Sequence, residues 1–399
     1  MKKNFLRFCI LAILVLFNTI CFSQKTVQGL NDFLQSVQAG SKLPGFAVAI
    51  VKEDQVIFSG GYGLADKARK TPYTIQTIQP VGSVSKTVIA LAVMQCIDKG
   101  YFTLETPIND ILPFKVVNPF FPTAVIKIKD LATHTSGLID NETMYARAYN
   151  IGRKPAVELK DFMKGYYAEG GAYYDKANFG NAEPGKKYSY SNVAAALAAY
   201  IVEIKSKMSF DKYTNDNIFT PLKMTDTHWF YDDARSSKYA TLYQVDRHDD
   251  AFDKSILNPD RSLKAYSLAT YPDGSLKTSV SDLTKYLIEM IKGYSGKSNI
   301  ISKKSFDALF QKQFTPATMP SAMDPREPNR AVFWSYNRRG KIAHSGSDPG
   351  LAAFISFDPV TKVGRVLLMN TDLDGKDNIV TIEAFVNLTR GLDTFEMGK

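Results

Sequence analysis

The sequence predicts an α/β (α+β) protein in which an antiparallel sheet is flanked by helices and completed by both ends of the chain. Strand patterns occur near both ends, and mostly helical patterns lie between them, which indicates an inserted helical lobe. The 399 residues are 45% hydrophobic, enough apolar material for one large domain or two lobes. We place the α/β lobe at about residues 24–80 and 330–399, and the helical lobe at about residues 81–329.

The first 23 residues are predicted to be a signal peptide and not part of the fold. Basic residues precede the apolar run FCILAILVLF, and the small residues Cys21 and Ser23 suit cleavage before Gln24. Two alternatives are less favoured: the large Ile20 argues against lipidation of Cys21, and the short apolar run argues against an uncleaved membrane anchor. We therefore expect an exported protein, periplasmic or secreted, without stable membrane insertion after cleavage.

Composition gives the mature chain few special features. Loss of the three leader cations lowers the formal net charge from +9 to about +6, which we interpret as ordinary surface charge without a nucleic-acid partner. Cys96 alone remains after cleavage, so no internal disulfide is expected, and its apolar helical surroundings are typical of a core residue.

The histidines do not predict a metal site. They show no metal-ligand spacing and are His134, His228, His248 and His344. The acidic segment Val245–Asp253 around His248 could bind a cation, but a solvated loop is the favoured interpretation. We expect neither a metal nor an organic cofactor.

The elements follow in chain order. Gly45–Asp66 is predicted to form two strands joined by a polar turn at Lys52–Gln55, and the segments AAFISF and VGRVLLMN are predicted strands near the other end. Helical spacing of apolar residues predicts five helices: Ser83–Lys99, Asn192–Lys205, Asp282–Ile291, Ser305–Gln311 and about Asp377–Arg390. The long segments Gly170–Lys187 and Asp232–Ser262 could roof a cleft between the lobes.

A serine and a lysine open the first of these helices with the spacing Ser-x-x-Lys. Ser83 and Lys86 would share a helix face, and a neutral lysine could take the serine proton, whereas a charged one could support a second base. The alternative is a helix cap and a lysine that reaches water. The same spacing recurs at Ser209–Lys212, which we interpret as a cap and a surface lysine.

Tyr190 and Asn192 precede another apolar helix. Residues two apart in an extended segment face the same way, so both would face one cavity. A lysine cation beside Tyr190 would favour its phenolate and make it a usable base. Alternatively, Asn192 only caps the helix and Tyr190 only packs, and Tyr188 on the same side is a rival base.

A third motif, His344-Ser345-Gly346-Ser347, lies at the end of a predicted strand. A small residue and a glycine would let a substrate approach the strand edge. The N–H of Ser347 could then pair with that of Ser83 to bind an oxyanion. The alternative for His344 is a hydrogen-bonded strand histidine.

Together the three motifs resemble the serine β-lactamase and penicillin-binding superfamily, and most of all its class C branch with the related D-Ala-D-Ala peptidases and esterases. The segments IKDLATHTSGL, IFTPLKMTDT and YPDGSLKTSVSDL are also similar to that family. The resemblance implies a β-lactamase/transpeptidase-like fold, with Ser83 as nucleophile, Lys86 as its activating partner and Tyr190 as general base. It implies that Asn192 and the His344 motif bind substrate.

The resemblance predicts an exported serine hydrolase that acts through an acyl-enzyme on an amide or ester of a small molecule or peptide, with a cell-wall peptide as one candidate. Two alternatives are a penicillin-binding D-Ala-D-Ala carboxypeptidase with slow β-lactam turnover and an inactive binding protein on the same scaffold. His344 stands where many β-lactamases carry lysine. Because histidine is mostly neutral at pH 7, we expect weaker anchoring of a substrate carboxylate.

Overall fold

A computed structural model describes residues 26–245, 251–373 and 379–398. The predicted signal peptide, the Cys21 alternative, His248 and the predicted start of the last helix at Asp377 lie outside these residues. No helix within the described ranges is both long and apolar enough to cross a membrane.

One antiparallel sheet organises the molecule. The strands in the described residues are β1 (Gly45–Lys52), β2 (Gln55–Asp66), β3 (Thr71–Pro72), β4 (Gln79–Pro80), β5 (Tyr149–Ile151), β6 (Tyr266–Leu268), β7 (Lys277–Thr278), β8 (Asn329–Arg330), β9 (Ser335–Tyr336), β10 (Ile342–Asp348), β11 (Leu351–Phe357) and β12 (Val363–Met369). Eight of them form one sheet in the order β3-β2-β1-β12-β11-β10-β9-β8. The pairs β4–β7 and β5–β6 form small separate ladders.

Both ends of the chain complete the same sheet, as predicted. Strand β1 pairs with β12 in antiparallel register from Phe46 opposite Met369 to Lys52 opposite Val363. Alternate residues of β1 enter different cores: Phe46 packs on one face of the sheet and Ala47 on the other. A strand buried on both faces needs apolar residues at nearly every position, which explains the run GFAVAIV.

Helices cover both faces of the sheet. They are α1 (Val27–Ala39), α2 (Ser85–Asp98), α3 (Ile128–Ala132), α4 (Glu142–Tyr145), α5 (Leu159–Tyr167), α6 (Asn192–Ser206), α7 (Phe210–Thr214), α8 (Ala251–Ile256), α9 (Val280–Tyr294), α10 (Lys303–Phe310) and α11 (Ile379–Met397). Short 3₁₀ turns lie at Gly82–Val84, Ile108–Asp110, Ala146–Ala148, Lys176–Asn178, Asp233–Lys238 and Tyr271–Asp273, and a π-helical turn at Asn215–Phe219 continues α7.

The terminal helices α1 and α11 pack on one face of the sheet through leucines such as Leu34 and Leu388. Helix α9 packs on the other face, close enough that a Cβ at Gly364 would lie 2.9 Å from Leu287. These contacts confirm an antiparallel sheet flanked by helices. The division into two lobes stays a prediction, and α9 shows that the inserted segment also contributes to the sheet face.

Helix α2 is the central helix, and its surroundings explain its composition. Nearly all of its residues are buried, including Lys86, so it is apolar on every side. Cys96 is buried and free, and burial raises the pKa of its thiol to about 11, which confirms it as a core residue. Gly100 follows the helix with a φ of +73°, the left-handed conformation in which many helices end.

Several predicted helix boundaries differ from the observed ones, and two of these differences have a structural reason. The helix predicted from Ser83 begins at Ser85, because Gly82 adopts a φ of +52° and the chain first makes a 3₁₀ turn. The last helix does not end near Arg390 but continues to Met397, since Phe395 still packs into the sheet, with its ring 5.9 Å from that of Phe58.

Candidate active site

A cavity of about 890 Å³ brings the three predicted motifs together. Its wall includes six of the eight predicted site residues, Ser83, Tyr190, Asn192, His344, Ser345 and Ser347. The other two, Lys86 and Gly346, are buried directly behind it. The described parts of the two long segments expected to roof a cleft contribute no residue to this wall.

Lys86 connects the predicted nucleophile to two distant parts of the chain. Its Nζ donates to Ser83 Oγ at 2.9 Å, to Asn192 Oδ1 at 2.6 Å and to the carbonyl oxygen of Asp273 at 2.7 Å. A lysine ammonium has three N–H donors, and each has a partner here. The side chain is 0% exposed, so the alternative of a lysine that reaches water is wrong.

Asn192 is free to face Lys86 because other residues cap helix α6. The hydroxyl of Ser191 accepts from the N–H of Ala194 at 3.0 Å and donates to Asp140 at 2.7 Å. Asp140 also accepts the N–H groups of Asn192 and Val193. A carboxylate at a helix N-terminus is favourable, and the alternative that Asn192 merely caps the helix is wrong.

Tyr190 is the better placed of the two candidate bases. The Lys86 ammonium lies 5.1 Å from the centre of its ring, and about a third of the residue is exposed to the cavity. The hydroxyl of the rival, Tyr188, instead accepts from Arg330, whose guanidinium lies 4.5 Å over the Tyr188 ring. Burial raises the pKa of Tyr188 to about 12 although Arg330 opposes this, so Tyr188 is a poor base.

His344 is neutral in this site. Its Nδ1 donates to the carbonyl oxygen of Ser345 at 2.7 Å. Burial, reinforced by the positive charge of Lys86, lowers the pKa of His344 to about 3. The surroundings of His344 therefore agree with the prediction that this position lacks a permanent cation.

Glycine lets the β10 edge approach the turn that carries Ser83. A Cβ on Gly346 would lie 2.0 Å from the carbonyl oxygen of Val81 and 2.9 Å from the nitrogen of Ser83. On the other side, a Cβ on Gly82 would lie 3.0 Å from the nitrogen of Ser347. These approaches juxtapose the two segments whose N–H groups were predicted to bind an oxyanion.

Sequence analysis missed Arg330, which lines the same cavity. Arg330 is 5% exposed and pairs with Glu327 at 2.6 Å, while its buried Nε has no hydrogen-bond partner in the described residues. Its charge contributes to lowering the pKa of His344. A single arginine in a two-residue strand carries no signal of this placement in the sequence.

Asp273 was also missed, although the segment YPDGSLKTSVSDL was noticed. Its carbonyl holds Lys86, and its own carboxyl group is buried 3.3 Å from the hydroxyl of Tyr145. Burial raises the pKa of Asp273 to about 6, against the effect of the Lys86 charge. In the part of the chain that the structure describes, no group of three or more His, Cys, Asp or Glu could hold a metal ion.

Comparisons with known proteins identify proteins that this chain resembles. Protein flp from Staphylococcus aureus strain MW2 is 23% identical over 328 residues, which cover 82% of this chain and 60% of that protein. A β-lactamase from Yersinia enterocolitica is 22% identical over 378 residues, or 91% of this chain and 90% of that one. This chain thus spans only about 60% of the length of the Staphylococcus aureus relatives that it matches.

Solved structures show the same fold. The octameric penicillin-binding protein homologue from Pyrococcus abyssi superposes with a TM-score of 0.67 at 22% identity, covering 92% of this chain and 77% of that chain. The sequence profile described as Beta-lactamase matches residues 30–384. The predicted superfamily resemblance and fold are thereby confirmed, and this chain belongs to the β-lactamase family.

Proposed function

We propose that this chain is an exported serine hydrolase that cleaves an amide or ester through an acyl-enzyme on Ser83. One observation carries the proposal. Lys86 is fully buried and hydrogen-bonded to Ser83 and Asn192, and the serine opens onto a cavity large enough for a substrate. Burying a lysine is costly, so its place beside Ser83 indicates a functional role. The pairing of a serine hydroxyl with an ionisable group is the arrangement that activates a nucleophile.

In the first half-reaction, Ser83 Oγ attacks the carbonyl carbon of the substrate, and its proton passes to the Tyr190/Lys86 pair. The N–H groups of Ser83 and Ser347 stabilise the oxyanion. The pair then gives a proton to the departing nitrogen or oxygen, which leaves an ester on Ser83. In the second half-reaction, water attacks this ester, the acid is released and Ser83 regains its proton.

Arg330 favours one version of this function, a carboxypeptidase that releases a leaving group with a carboxylate. The neutral His344 supplies no charge for such a group, whereas the Arg330 guanidinium, which pairs with Glu327 and the Tyr188 hydroxyl, is a permanent cation in the wall of the same cavity. Guanidinium groups pair with carboxylates in two-point geometry. A peptide with a free carboxyl terminus or a β-lactam carries this group.

Labelling with a fluorescent penicillin tests the proposal, alongside turnover of short esters and D-Ala-D-Ala peptides. Persistent labelling of the wild type supports the carboxypeptidase, and transient labelling with turnover supports a faster hydrolase. Wild type that reacts with none of these compounds would contradict the proposal and leave an inactive binding protein. Detection of a chain beginning at Gln24 in the exported fraction would support the proposed localisation, and an intact leader there would contradict it.

A further inference from the structure

We propose that His134 is a positioning residue that holds Tyr190 in the orientation needed for proton transfer from Ser83. The inference rests on the proposed function, since it assigns a task to a residue that supports the general base. His134 belongs to the segment IKDLATHTSGL, and the reaction scheme gives it no other part. It lies far from Tyr190 in sequence but directly against it in the fold.

Three successive residues of the Tyr190 segment contact this one histidine. The carbonyl oxygen of His134 accepts the N–H of Ser189 at 2.8 Å. Its ring Nδ1 accepts the N–H of Ser191 at 3.2 Å. Its ring face stacks on Tyr190, with centroids 4.2 Å apart and planes inclined by 29°. The histidine therefore fixes the backbone on both sides of Tyr190 as well as the plane of the phenol ring.

Few other hydrogen bonds or ring contacts hold Tyr190 among the described residues. Its hydroxyl makes no hydrogen bond to any residue that the structure describes, and 36% of the residue is exposed. The remaining side-chain contact that bears on its orientation is the Lys86 ammonium, 5.1 Å from the ring centre. Because about a third of the residue is exposed, removal of the stack should loosen the orientation of the Tyr190 ring.

His134 is itself rigidly held. It is 2% exposed, and the rings of Phe333 and Tyr188 meet it edge-on at 5.8 Å and 6.3 Å. Its backbone lies in the left-handed region with a φ of +57°, a conformation in which asparagine and histidine occur more often than most residues. The contact with Tyr190 is thus made by a fixed support and not by a mobile side chain.

The ring is neutral, as the acceptor role of Nδ1 requires. Burial, with the positive charges of Arg330 and Lys86 and the nearby His344, holds the pKa of His134 well below its usual range. The proton then resides on Nε2, and Nδ1 keeps the lone pair that receives the N–H of Ser191. His134 consequently acts through geometry and does not itself exchange a proton.

Catalytic geometry is sensitive to small displacements, and a shift of about 1 Å can cost roughly 100-fold in rate. His134→Asn tolerates the positive φ and keeps an oxygen near the place of Nδ1, but it removes the ring face. His134→Phe keeps a ring and removes the acceptor. With p-nitrophenyl acetate as the probe, we expect kcat to fall roughly 10- to 100-fold in each variant, while KM changes less than about threefold.

A double-mutant cycle separates positioning from general damage to the fold. In a Tyr190→Phe background, His134→Asn should change the residual acylation rate by less than about twofold, because the group that it positions is gone. His228→Asn is the matched control, since His228 is a partly buried histidine with an edge-on tyrosine contact outside the cavity wall. It should leave kcat within about twofold of the wild type.

Two results would overturn the inference: a kcat within twofold of the wild type in His134→Asn, or the same loss with and without the Tyr190 hydroxyl. If His134→Phe fails to fold, His134→Asn alone carries the test. Ser83→Ala in the same assay distinguishes the two proposals. Activity that survives Ser83→Ala contradicts the acyl-enzyme, whereas loss there with unaffected His134 variants contradicts only the positioning role.

Discussion

The chain contains the spacing Ser-x-x-Lys at Ser83–Lys86 and again at Ser209–Lys212, and the fold treats the two pairs differently. Lys86 is fully buried and donates to three oxygens, one of which is the Ser83 hydroxyl. Ser209 is exposed at the N-cap position of α7, and the Lys212 side chain is 63% exposed and paired with Asp216 at 2.7 Å. Local spacing places both lysines near a serine, but tertiary contacts bury Lys86 and leave Lys212 exposed.

The two lysines differ in the hydrogen bonds that are available to replace their hydration. Burying an ammonium group is costly unless hydrogen bonds replace its hydration. Helix α6 brings Asn192 to Lys86, and the turn at Tyr271–Asp273 brings a carbonyl. Lys212 meets only an exposed carboxylate on its own helical segment, so water continues to solvate it. Chemistry is therefore expected at the first pair alone.

The largest expected effect separates the two serines. Ser83→Ala should lower kcat/KM for p-nitrophenyl acetate by at least about 1,000-fold, because it removes the attacking atom. Ser209→Ala should leave it within about twofold, since this hydroxyl makes no capping bond and is exposed. Steady-state kinetics on both purified variants decides this, and equal losses would contradict the distinction between the pairs.

The second-largest expected effect separates the two lysines. Lys86→Met removes the charge beside Ser83 and Tyr190 and should reduce kcat at least about 100-fold. It also leaves Asn192 and the Asp273 carbonyl unpaired, which should cost about 1–3 kcal/mol in the free energy of unfolding. Lys212→Met loses only an exposed ion pair worth less than about 1 kcal/mol. Urea unfolding and kinetics measure both, and a fully active Lys86→Met would refute the activating role.

Two of the arginines in the cavity wall provide a test of substrate choice. Arg330→Gln should raise KM about 10-fold or more for a peptide with a free carboxylate and leave a neutral ester nearly unaffected. Arg326 is the matched control because its side chain is 83% exposed, and Arg326→Gln should change either KM by less than about threefold. Equal effects of Arg330→Gln on the charged and neutral substrates would contradict carboxylate recognition.

The last effect appears in stability and not in activity, and it concerns the carboxyl groups beside the two lysines. The pKa of Asp273 rises to about 6 on folding, so its ionisation opposes folding: the penalty is absent below its unfolded pKa near ~4 and complete above about 6. Asp273→Asn should therefore gain up to about 3 kcal/mol of relative stability at pH 8 compared with pH 4.

Asp216 should show the opposite pH dependence of stability. Its pKa is lowered by the hydrogen bond from Lys212, so its contribution is present at neutral pH and is lost as the pH falls through the folded pKa. Asp216→Asn should slightly destabilise the protein at pH 8 and leave it unchanged in acid. Urea unfolding at pH 4, 6 and 8 compares the two variants. A pH-independent effect of Asp273→Asn would contradict the raised pKa of the buried Asp273 carboxyl group.

Sequence patterns predict those elements of the fold and residues of the site that short local motifs determine. The pairing of β1 with β2 follows from two short strand-like segments joined by a polar turn, and Ser83, Lys86, Tyr190 and Asn192 lie in short motifs at helix starts. Two-residue strands such as β8 and β9 are too short to show any periodicity. Helix α1 was not predicted at all, and its stability comes from packing against the sheet and α11.

The missed residues of the site share one property: their partners are distant in the chain. Asp140 receives the N–H groups at the start of α6, more than fifty residues later. Arg330 meets Tyr188 across the cavity. His134 contacts Tyr190 only because its segment returns beside the motif. Such pairs carry no local spacing, so a single sequence does not reveal them.

Peptide mapping of the acyl adduct tests the central claim most directly. The wild type is incubated with a penicillin, quenched, cleaved at lysine and arginine, and analysed by mass spectrometry. We predict an adduct on Ser83 within residues 71–86, which is absent from Ser83→Ala. An adduct within residues 208–212 or elsewhere, or one that persists in Ser83→Ala, would contradict the assignment of the nucleophile.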